Sequence, residues 1–149
     1  MDSLIRTTSE NNDFKNLVIL LDAFLKITDG EEHSFYDQFN KIDALRNVLV
    51  FYSDSIAIGC GAFKAYDSKS VEIKRMFVHT DFRGKGIAAK ILSELEVWAK
   101  ELNYHECILE TGNKQKAAVA LYLKSNYKII ANYGQYSNAA NSICMKKKL

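Results

Sequence analysis

Residues 71–88 constrain the fold of this chain more than any other stretch. Val71, Ile73, Phe77 and Val78 stand at nearly alternate positions, and alternating residues that favour sheets predict a β-strand. A broad apolar stripe at helical spacing follows, formed by Ile87, Ile91, Leu95, Trp98 and Leu102. This stripe is typical of a long helix with one buried face. The stretch therefore predicts a strand, a short loop and a long helix.

Small residues stand where this helix is expected to begin. Gly84, Gly86 and Ala88 occupy its start, and Arg83 and Lys85 add positive charge between them. The first turn of a helix has unpaired N–H groups and the positive end of the helix dipole, so it attracts phosphate oxygens. Because small side chains let a phosphate approach the backbone, this loop predicts an anion cradle.

Two common phosphate-binding loops do not fit these residues. A Walker A loop requires Gly-Lys-Ser/Thr, but Ile87 follows Gly86 in this chain. The dinucleotide-binding pattern G-x-G-x-x-G requires a third glycine, and Ala89 stands at that position. The cradle therefore belongs to another class of anion site.

Composition and charge exclude several kinds of protein. The chain has 149 residues, with 48% hydrophobic and 26% charged, which is typical of one soluble globular domain. Its formal net charge of +2 is dispersed, so neither nucleic acid nor a membrane is an expected partner. No signal peptide or membrane-spanning run is recognised, so we expect a cytoplasmic protein. Cys60, Cys107 and Cys144 form no CxxC pair, and we expect reduced thiols and no metal site.

The remaining elements follow from apolar periodicity and turn residues. The predicted order is β-α-α-β-β-β-α-β-α-β-β. Before the central strand and helix we expect a strand at 3–8, a helix from Asn12 or Asp13 to residues 28–30, a helix at 31–40, and strands at 48–52 and 56–65. After them we expect a strand at 106–111, a helix from Asn113 to about 125, and strands at 127–130 and 142–147. Gly59 and Gly61 predict a bulge or a close backbone approach. The order predicts antiparallel strands followed by a parallel crossover.

Two motifs resemble the GNAT superfamily of acyl-CoA-dependent N-acetyltransferases. Arg83-x-x-Gly86-x-Ala88 is similar to its Q/R-x-x-G-x-G/A pattern, although Thr80 replaces the proline often found before the cradle. Residues 109–127 resemble its L-E-T-G-x-x-Q-x-x-A-x-x-L-Y-x-x-x-G-Y/F segment, with Asn126 in place of glycine. Asn tolerates the left-handed conformation that ends a helix. The resemblance implies one N-acetyltransferase domain over residues 1–149, with an α/β fold, a mixed six- to seven-stranded sheet and about four helices.

The resemblance also implies acetyl-CoA as co-substrate. The implied cofactor-binding residues lie at the end of the central strand, in the cradle and at the second motif: Phe77, Val78, Arg83, Gly84, Lys85, Gly86, Ile87, Ala88 and Asn113. In the family, the pantetheine arm enters between two splayed parallel strands and pairs with backbone groups, and a backbone N–H near Val78 would stabilise the oxyanion. For Asn113, a helix cap is an equally good interpretation.

Catalytic roles follow from the same resemblance. Glu72 lies eleven residues before Arg83, where several family members have a glutamate base, but it could equally form a salt bridge with Lys74. Glu110 is the alternative base and is expected to face the same crevice as a substrate-binding residue. Tyr122 resembles the tyrosine that protonates the departing thiolate, and its alternative is a packed core residue.

The acceptor is expected to be the primary amine of a small or amino-acid-like molecule. Tyr36, on the second predicted helix, is a candidate substrate-binding residue, and aromatic residues near it and at Gln135 and Tyr136 suggest the walls of a small pocket. Two alternatives stay open: an acyl-CoA sensor without catalysis, and an enzyme that acetylates proteins. The sequence does not identify the acceptor, and it leaves formation of a homodimer open.

Overall fold

One mixed sheet of seven strands organises the protein. The computed structural model describes residues 1–30 and 44–149. The strands are β1 (Asp2–Thr7), β2 (Asn47–Ser53), β3 (Ile56–Ala65), β4 (Ser70–Val78), β5 (Glu106–Gly112), β6 (Lys128–Ile130) and β7 (Ser142–Lys148). Their order across the sheet is β1-β2-β3-β4-β5-β7-β6. All neighbours are antiparallel except β4 and β5, which are parallel. The predicted mixed sheet with one parallel pair is confirmed.

Three α-helices accompany the sheet in the described ranges. They are α1 (Asn12–Asp29), α2 (Ile87–Glu101) and α3 (Lys116–Lys124). The helix predicted at residues 31–40 lies outside those ranges. None of the described helices is long and apolar enough to cross a bilayer.

The two faces of the sheet bury different cores because successive strand residues point to opposite sides. On one face, Phe14 and Leu17 of α1 pack against Val48, Val50 and Phe77. The other face holds the larger cluster, in which α2 and α3 cover residues of β2 to β5 and β7: Leu49, Phe51, Ile58, Phe63, Val71, Ile73, Leu109 and Met145. Each polar residue of β4 and β5 therefore lies on one of these two faces, either with α1 or with α2 and α3.

The centre of the sheet contains a bulge. Cys60 pairs with Phe77 and Ala62 pairs with Lys74, so β4 carries one residue more than β3 between these pairs. Arg75, within the bulge, has a φ of 59°. Opposite it, a Cβ on Gly61 would lie 2.6 Å from Met76 Sδ and 2.8 Å from Ile91 Cγ2. The predicted bulge and close approach are both present, and they explain why glycine stands at this position.

Strands β4 and β5 pair over a short distance and then separate. Their parallel register runs from Ser70 opposite Glu106 to Glu72 opposite Ile108, and no later pair is formed. Strand β5 continues to Gly112 alongside β7, whereas β4 continues to Val78 alongside β3. The sheet therefore contains a gap between β4 and β5 beyond Glu72.

Two predicted helix caps were wrong. Helix α1 is capped by Asn11, whose Oδ1 accepts a 2.9 Å hydrogen bond from the backbone N–H of Phe14. Helix α3 begins at Lys116 after Gln115, because a turn at residues 112–115 delays its start, and Asn113 therefore caps nothing. Asn126 has a φ of 74°, which confirms the predicted left-handed helix end.

Candidate active site

A cavity of about 670 Å³ lies at the gap between β4 and β5. Its walls come from α1, from the diverging ends of both strands, from the start of α2 and from α3. Elements from both halves of the chain therefore enclose one space, and the two predicted motifs contribute to the same cavity.

The cradle is open at the start of α2. Gly84 and Gly86 have φ values of 79° and 76°, a region that residues with a side chain rarely adopt. Nothing lies within 4 Å of a Cβ added to either glycine, so the space in front of both is unfilled. The first turn of α2 carries no acidic residue. An open space before unpaired N–H groups is what a pyrophosphate requires.

Arg83 and Lys85 flank the cradle, and of the two Arg83 lines the cavity. Arg83 Nε donates a 3.0 Å hydrogen bond to the carbonyl of Val78, and its guanidinium lies 4.5 Å above the ring of Phe24 on α1. Lys85 Nζ lies 5.4 Å from the ring of Phe82 and does not line the cavity. Arg83 therefore fixes the loop to β4 and α1, and the backbone of the loop faces the cavity.

The gap exposes one edge of β4 to the cavity. Phe77 and Val78 pair with Cys60 and Gly59 of β3, and the opposite edge of β4 has no partner in β5. Both residues line the cavity. An unpaired strand edge offers N–H and C=O groups to an extended ligand that adds to the sheet.

Tyr122 approaches this gap from the α3 side of the sheet. It is buried in the same cluster as Val71, Ile73 and Leu109, and its hydroxyl makes no hydrogen bond to the described residues. Burial raises the pKa of Tyr122, and the charge of Glu110 raises it further. The phenol therefore stays protonated at neutral pH and can donate a hydrogen bond.

Glu72 emerges on the other face, because it alternates with Val71 and Ile73. It is 3% exposed, and both of its oxygens have neighbours. Oε2 accepts a 2.6 Å hydrogen bond from the hydroxyl of Tyr133, and Oε1 lies 3.7 Å from Lys74 Nζ. The salt bridge between Glu72 and Lys74 that was considered from the sequence is therefore present. The sequence did not indicate the second partner of Glu72, Tyr133.

Glu110 lies on the same face at the end of β5 and is only partly buried. Its Oε2 accepts a 2.7 Å hydrogen bond from Ser142 Oγ, and its other oxygen has no hydrogen bond within the described ranges. Burial raises the pKa of Glu110 to about 7, and the charges of Glu72 and Asp29 add to this rise. The Ser142 hydrogen bond and the charge of Lys74 oppose the rise. A carboxyl group with this pKa is suited to exchanging protons near neutrality.

Several predicted site residues take other places. Asn113 does not line the cavity; its backbone N–H donates a 2.8 Å hydrogen bond to the carbonyl of Asn141. Tyr36 lies outside the described ranges. Tyr136 lines the cavity, as its loop was expected to do. Residues 1–30 and 44–149 contain no cluster of His, Cys, Asp and Glu that could hold a metal ion.

The sequence did not indicate three polar residues of the site. Tyr133 and Ser142 reach the two glutamates from the end of the chain, and Asp29 at the end of α1 accepts a 2.9 Å hydrogen bond from Gln115 Nε2. Each lies far in sequence from its partner. No local spacing could therefore have found them.

The comparisons with known proteins agree with this geometry. The sequence profile described as Acetyltransferase (GNAT) family matches residues 16–127. An IAA acetyltransferase from Azospirillum brasilense is 34% identical over 103 residues, which cover 68% of this chain and 67% of that protein. A provisionally named acyl-CoA N-acyltransferase from Klebsiella pneumoniae subsp. pneumoniae MGH 78578 has a TM-score of 0.85 at 27% identity, covering 100% of this chain and 98% of the other.

A further structure shares the fold at lower identity. The PaiA N-acetyltransferase from Thermoplasma acidophilum, solved in complex with coenzyme A, has a TM-score of 0.74 at 20% identity, covering 100% of this chain and 99% of the other. The splayed sheet, the cradle and these relatives define an acyltransferase. The chain belongs to the acetyltransferase (GNAT) family.

Proposed function

We propose that this protein transfers an acetyl group from acetyl-CoA to the primary amine of a small or amino-acid-like acceptor by direct attack. The observation that carries the proposal is the placement of Glu110 and Tyr122 on opposite faces of the sheet, at one gap and in one cavity. A proton acceptor on one side and a hydroxyl donor on the other are the two groups that acyl transfer to an amine requires.

The residues present fit acetyl-CoA. The backbone of Gly84 and Gly86 would hold the pyrophosphate, and the free edge of β4 at Phe77 and Val78 would hold the pantetheine arm. A protein of the same fold, the Thermoplasma N-acetyltransferase, was solved in complex with coenzyme A, which supports the choice of ligand. When bound, acetyl-CoA would supply the activated acetyl thioester.

We assign the base to Glu110 and not to Glu72, which reverses the order expected from the sequence. An alkylammonium group has a pKa of about 10.4 and must lose a proton before it attacks. Glu110 has one oxygen that accepts no hydrogen bond in the described ranges and a pKa of about 7, so it can take that proton at neutral pH. Both oxygens of Glu72 already contact Tyr133 and Lys74. Glu72 therefore organises the acceptor side of the cavity.

Tyr122 completes the chemistry on the other face. Its buried hydroxyl keeps its proton and would donate a hydrogen bond to the sulfur as negative charge develops there. A backbone N–H near Val78 would stabilise the carbonyl oxygen. These donors are fixed by the fold before substrates bind, so they need little rearrangement during the reaction.

A thiol-release assay tests the proposal. Purified protein is incubated with acetyl-CoA and a panel of primary amines and amino acids, and each product is identified by mass. Transfer to the nitrogen of at least one small acceptor is expected. Binding of acetyl-CoA without transfer to any amine would support a sensor, and transfer only to lysines or N-termini of peptides would support a protein acetyltransferase.

A further inference from the structure

Two glutamates and one lysine share the acceptor side of the sheet. Glu72 and Lys74 lie two residues apart on β4 and therefore on one face. Glu72 is opposite Ile108 in the parallel register, so Lys74 and Glu110 stand at corresponding positions on the two sides of the gap. The charge of Lys74 acts on both glutamates, but its ammonium is paired with Glu72 at 3.7 Å. One cation thus acts on two carboxylates.

We propose that Tyr133 is a positioning residue for the reaction: its hydroxyl holds Glu72 in the orientation that pairs with Lys74, and so keeps Lys74 away from Glu110. The inference rests on the proposed function, in which Glu110 takes the proton of the acceptor amine. If Lys74 moved across the gap to Glu110, the base would be weakened and its open oxygen occupied.

The contacts of Glu72 support this role. The hydrogen bond from Tyr133 is short, at 2.6 Å, and it binds Oε2, which leaves Oε1 directed at Lys74. Because the side chain of Glu72 is only 4% exposed, water does not compete effectively for either oxygen. Burial raises the pKa of Tyr133, as does the charge of Glu72. Tyr133 is therefore a donor at every pH at which the protein would work.

The ring of Tyr133 is held independently of its hydroxyl. It packs edge-to-face against Tyr66 at 5.2 Å and against Tyr136 at 5.9 Å between ring centroids. Tyr133→Phe therefore removes one oxygen and keeps the aromatic contacts. Tyr66→Phe is the matched control, because it removes a hydroxyl from the same aromatic cluster and leaves Glu72 with its partners.

The titration of Glu110 depends on all the charged and titratable groups that face it. The titratable groups that face it come from α1, β4, α3, the β6–β7 loop and β7: Asp29, Glu72, Lys74, Tyr122, Tyr136 and Cys144. Ser142 adds a hydrogen bond. Among these, Lys74 is the one cation, so movement of Lys74 is the change that would lower the pKa of Glu110.

The test is a carbon-13 NMR titration of glutamate-labelled protein, in which Glu110→Gln and Glu72→Gln assign the two carboxyl resonances. Tyr133→Phe is expected to lower the midpoint of Glu110 by about one pH unit, because an opposite charge moves next to it. Tyr66→Phe is expected to leave the midpoint unchanged. Circular dichroism confirms that each variant is folded.

The Lys74→Met background shows whether Tyr133→Phe changes the Glu110 midpoint through Lys74. Lys74→Met alone should raise the Glu110 midpoint, since it removes the neighbouring cation. In that background, Tyr133→Phe should no longer lower the midpoint, because no ammonium remains to move. A fall of equal size with and without Lys74 would overturn the inference, as would an unchanged midpoint in Tyr133→Phe itself.

The titration needs no acceptor, so it separates the two proposals. An unchanged Glu110 midpoint in Tyr133→Phe, in a protein that acetylates an amine, overturns the role of Tyr133 alone. With an active acceptor, the acid limb of kcat/KM in Tyr133→Phe should move to lower pH together with the Glu110 midpoint. A rate unaffected by Glu110→Gln would overturn both the assigned base and the role built on it.

Discussion

The end of the cavity proposed to bind the cofactor and the end proposed to bind the acceptor, here the cofactor end and the acceptor end, are built in different ways. The cofactor end uses backbone from one continuous stretch, with Gly84 and Gly86 at the start of α2 and the free edge of β4. The acceptor end uses side chains from β4, β5, the β6–β7 loop and β7, joined by hydrogen bonds of 2.6–2.7 Å. The first requires particular backbone conformations, and the second requires particular partners. Mutations at the two ends should therefore affect different constants.

The largest effect is expected at the cofactor end. Gly86→Glu places a negative side chain in the open space of the cradle and a non-glycine residue at a φ of 76°. Binding of acetyl-CoA, measured by calorimetry, should be abolished. Gly30→Glu is a control for backbone strain, because Gly30 also has a positive φ and an open Cβ position but does not line the cavity. Wild-type affinity in a folded Gly86→Glu variant would refute the cradle.

At the acceptor end, Glu110→Gln should lower kcat by about 10²–10⁴-fold and leave acetyl-CoA affinity nearly unchanged. In the wild type, Glu110 must lose its proton to act, so kcat/KM should rise with pH through about 7. That acid limb should be absent from the variant. Glu72→Gln should lower kcat less than Glu110→Gln does. A larger loss of kcat in Glu72→Gln would make Glu72 the base, as the sequence first suggested.

Tyr122→Phe tests the boundary between the two ends, because this residue contacts the gap from the cofactor side. The variant keeps the ring and its packing against Tyr127 at 5.8 Å. Acetyl-CoA affinity should change by less than about 1 kcal/mol, the usual net contribution of one hydrogen bond. Turnover should fall by roughly tenfold or more. Equal losses in both constants would make Tyr122 a binding residue.

The smallest effect is expected from Ser142→Ala. The hydroxyl of Ser142 stabilises the charged form of Glu110, so its removal should raise the pKa of Glu110 above about 7. The acid limb of kcat/KM should move to higher pH by up to about one unit, while the rate on the alkaline plateau stays close to the wild type. If the acid limb stays in place or moves to lower pH, the hydrogen bond from Ser142 does not lower the pKa of the base Glu110.

The same contrast explains what the sequence could predict. The strand, the cradle and α2 depend on neighbouring residues, and so does the left-handed end of α3 at Asn126, so local patterns were sufficient. Glu72 and Glu110 could be placed near one crevice by strand order. Their partners Tyr133 and Ser142 could not, because 61 residues separate Tyr133 from Glu72 and 32 separate Ser142 from Glu110, and these pairs meet only in the folded sheet. The choice between the two glutamates depended on those partners.

The left-handed backbone of Arg75 has a consequence for how the protein tolerates heat. This conformation is costly for a residue with a side chain, and Nε and Nη2 of the buried guanidinium have no hydrogen-bond partner in the described ranges. Both costs are present in the folded state and disappear on unfolding. Both costs therefore lower the free energy of unfolding of the empty protein, and a ligand that binds the folded protein in the gap raises that free energy by an amount that grows with the logarithm of ligand concentration. In a cell, the amount of folded protein would then follow the supply of that ligand.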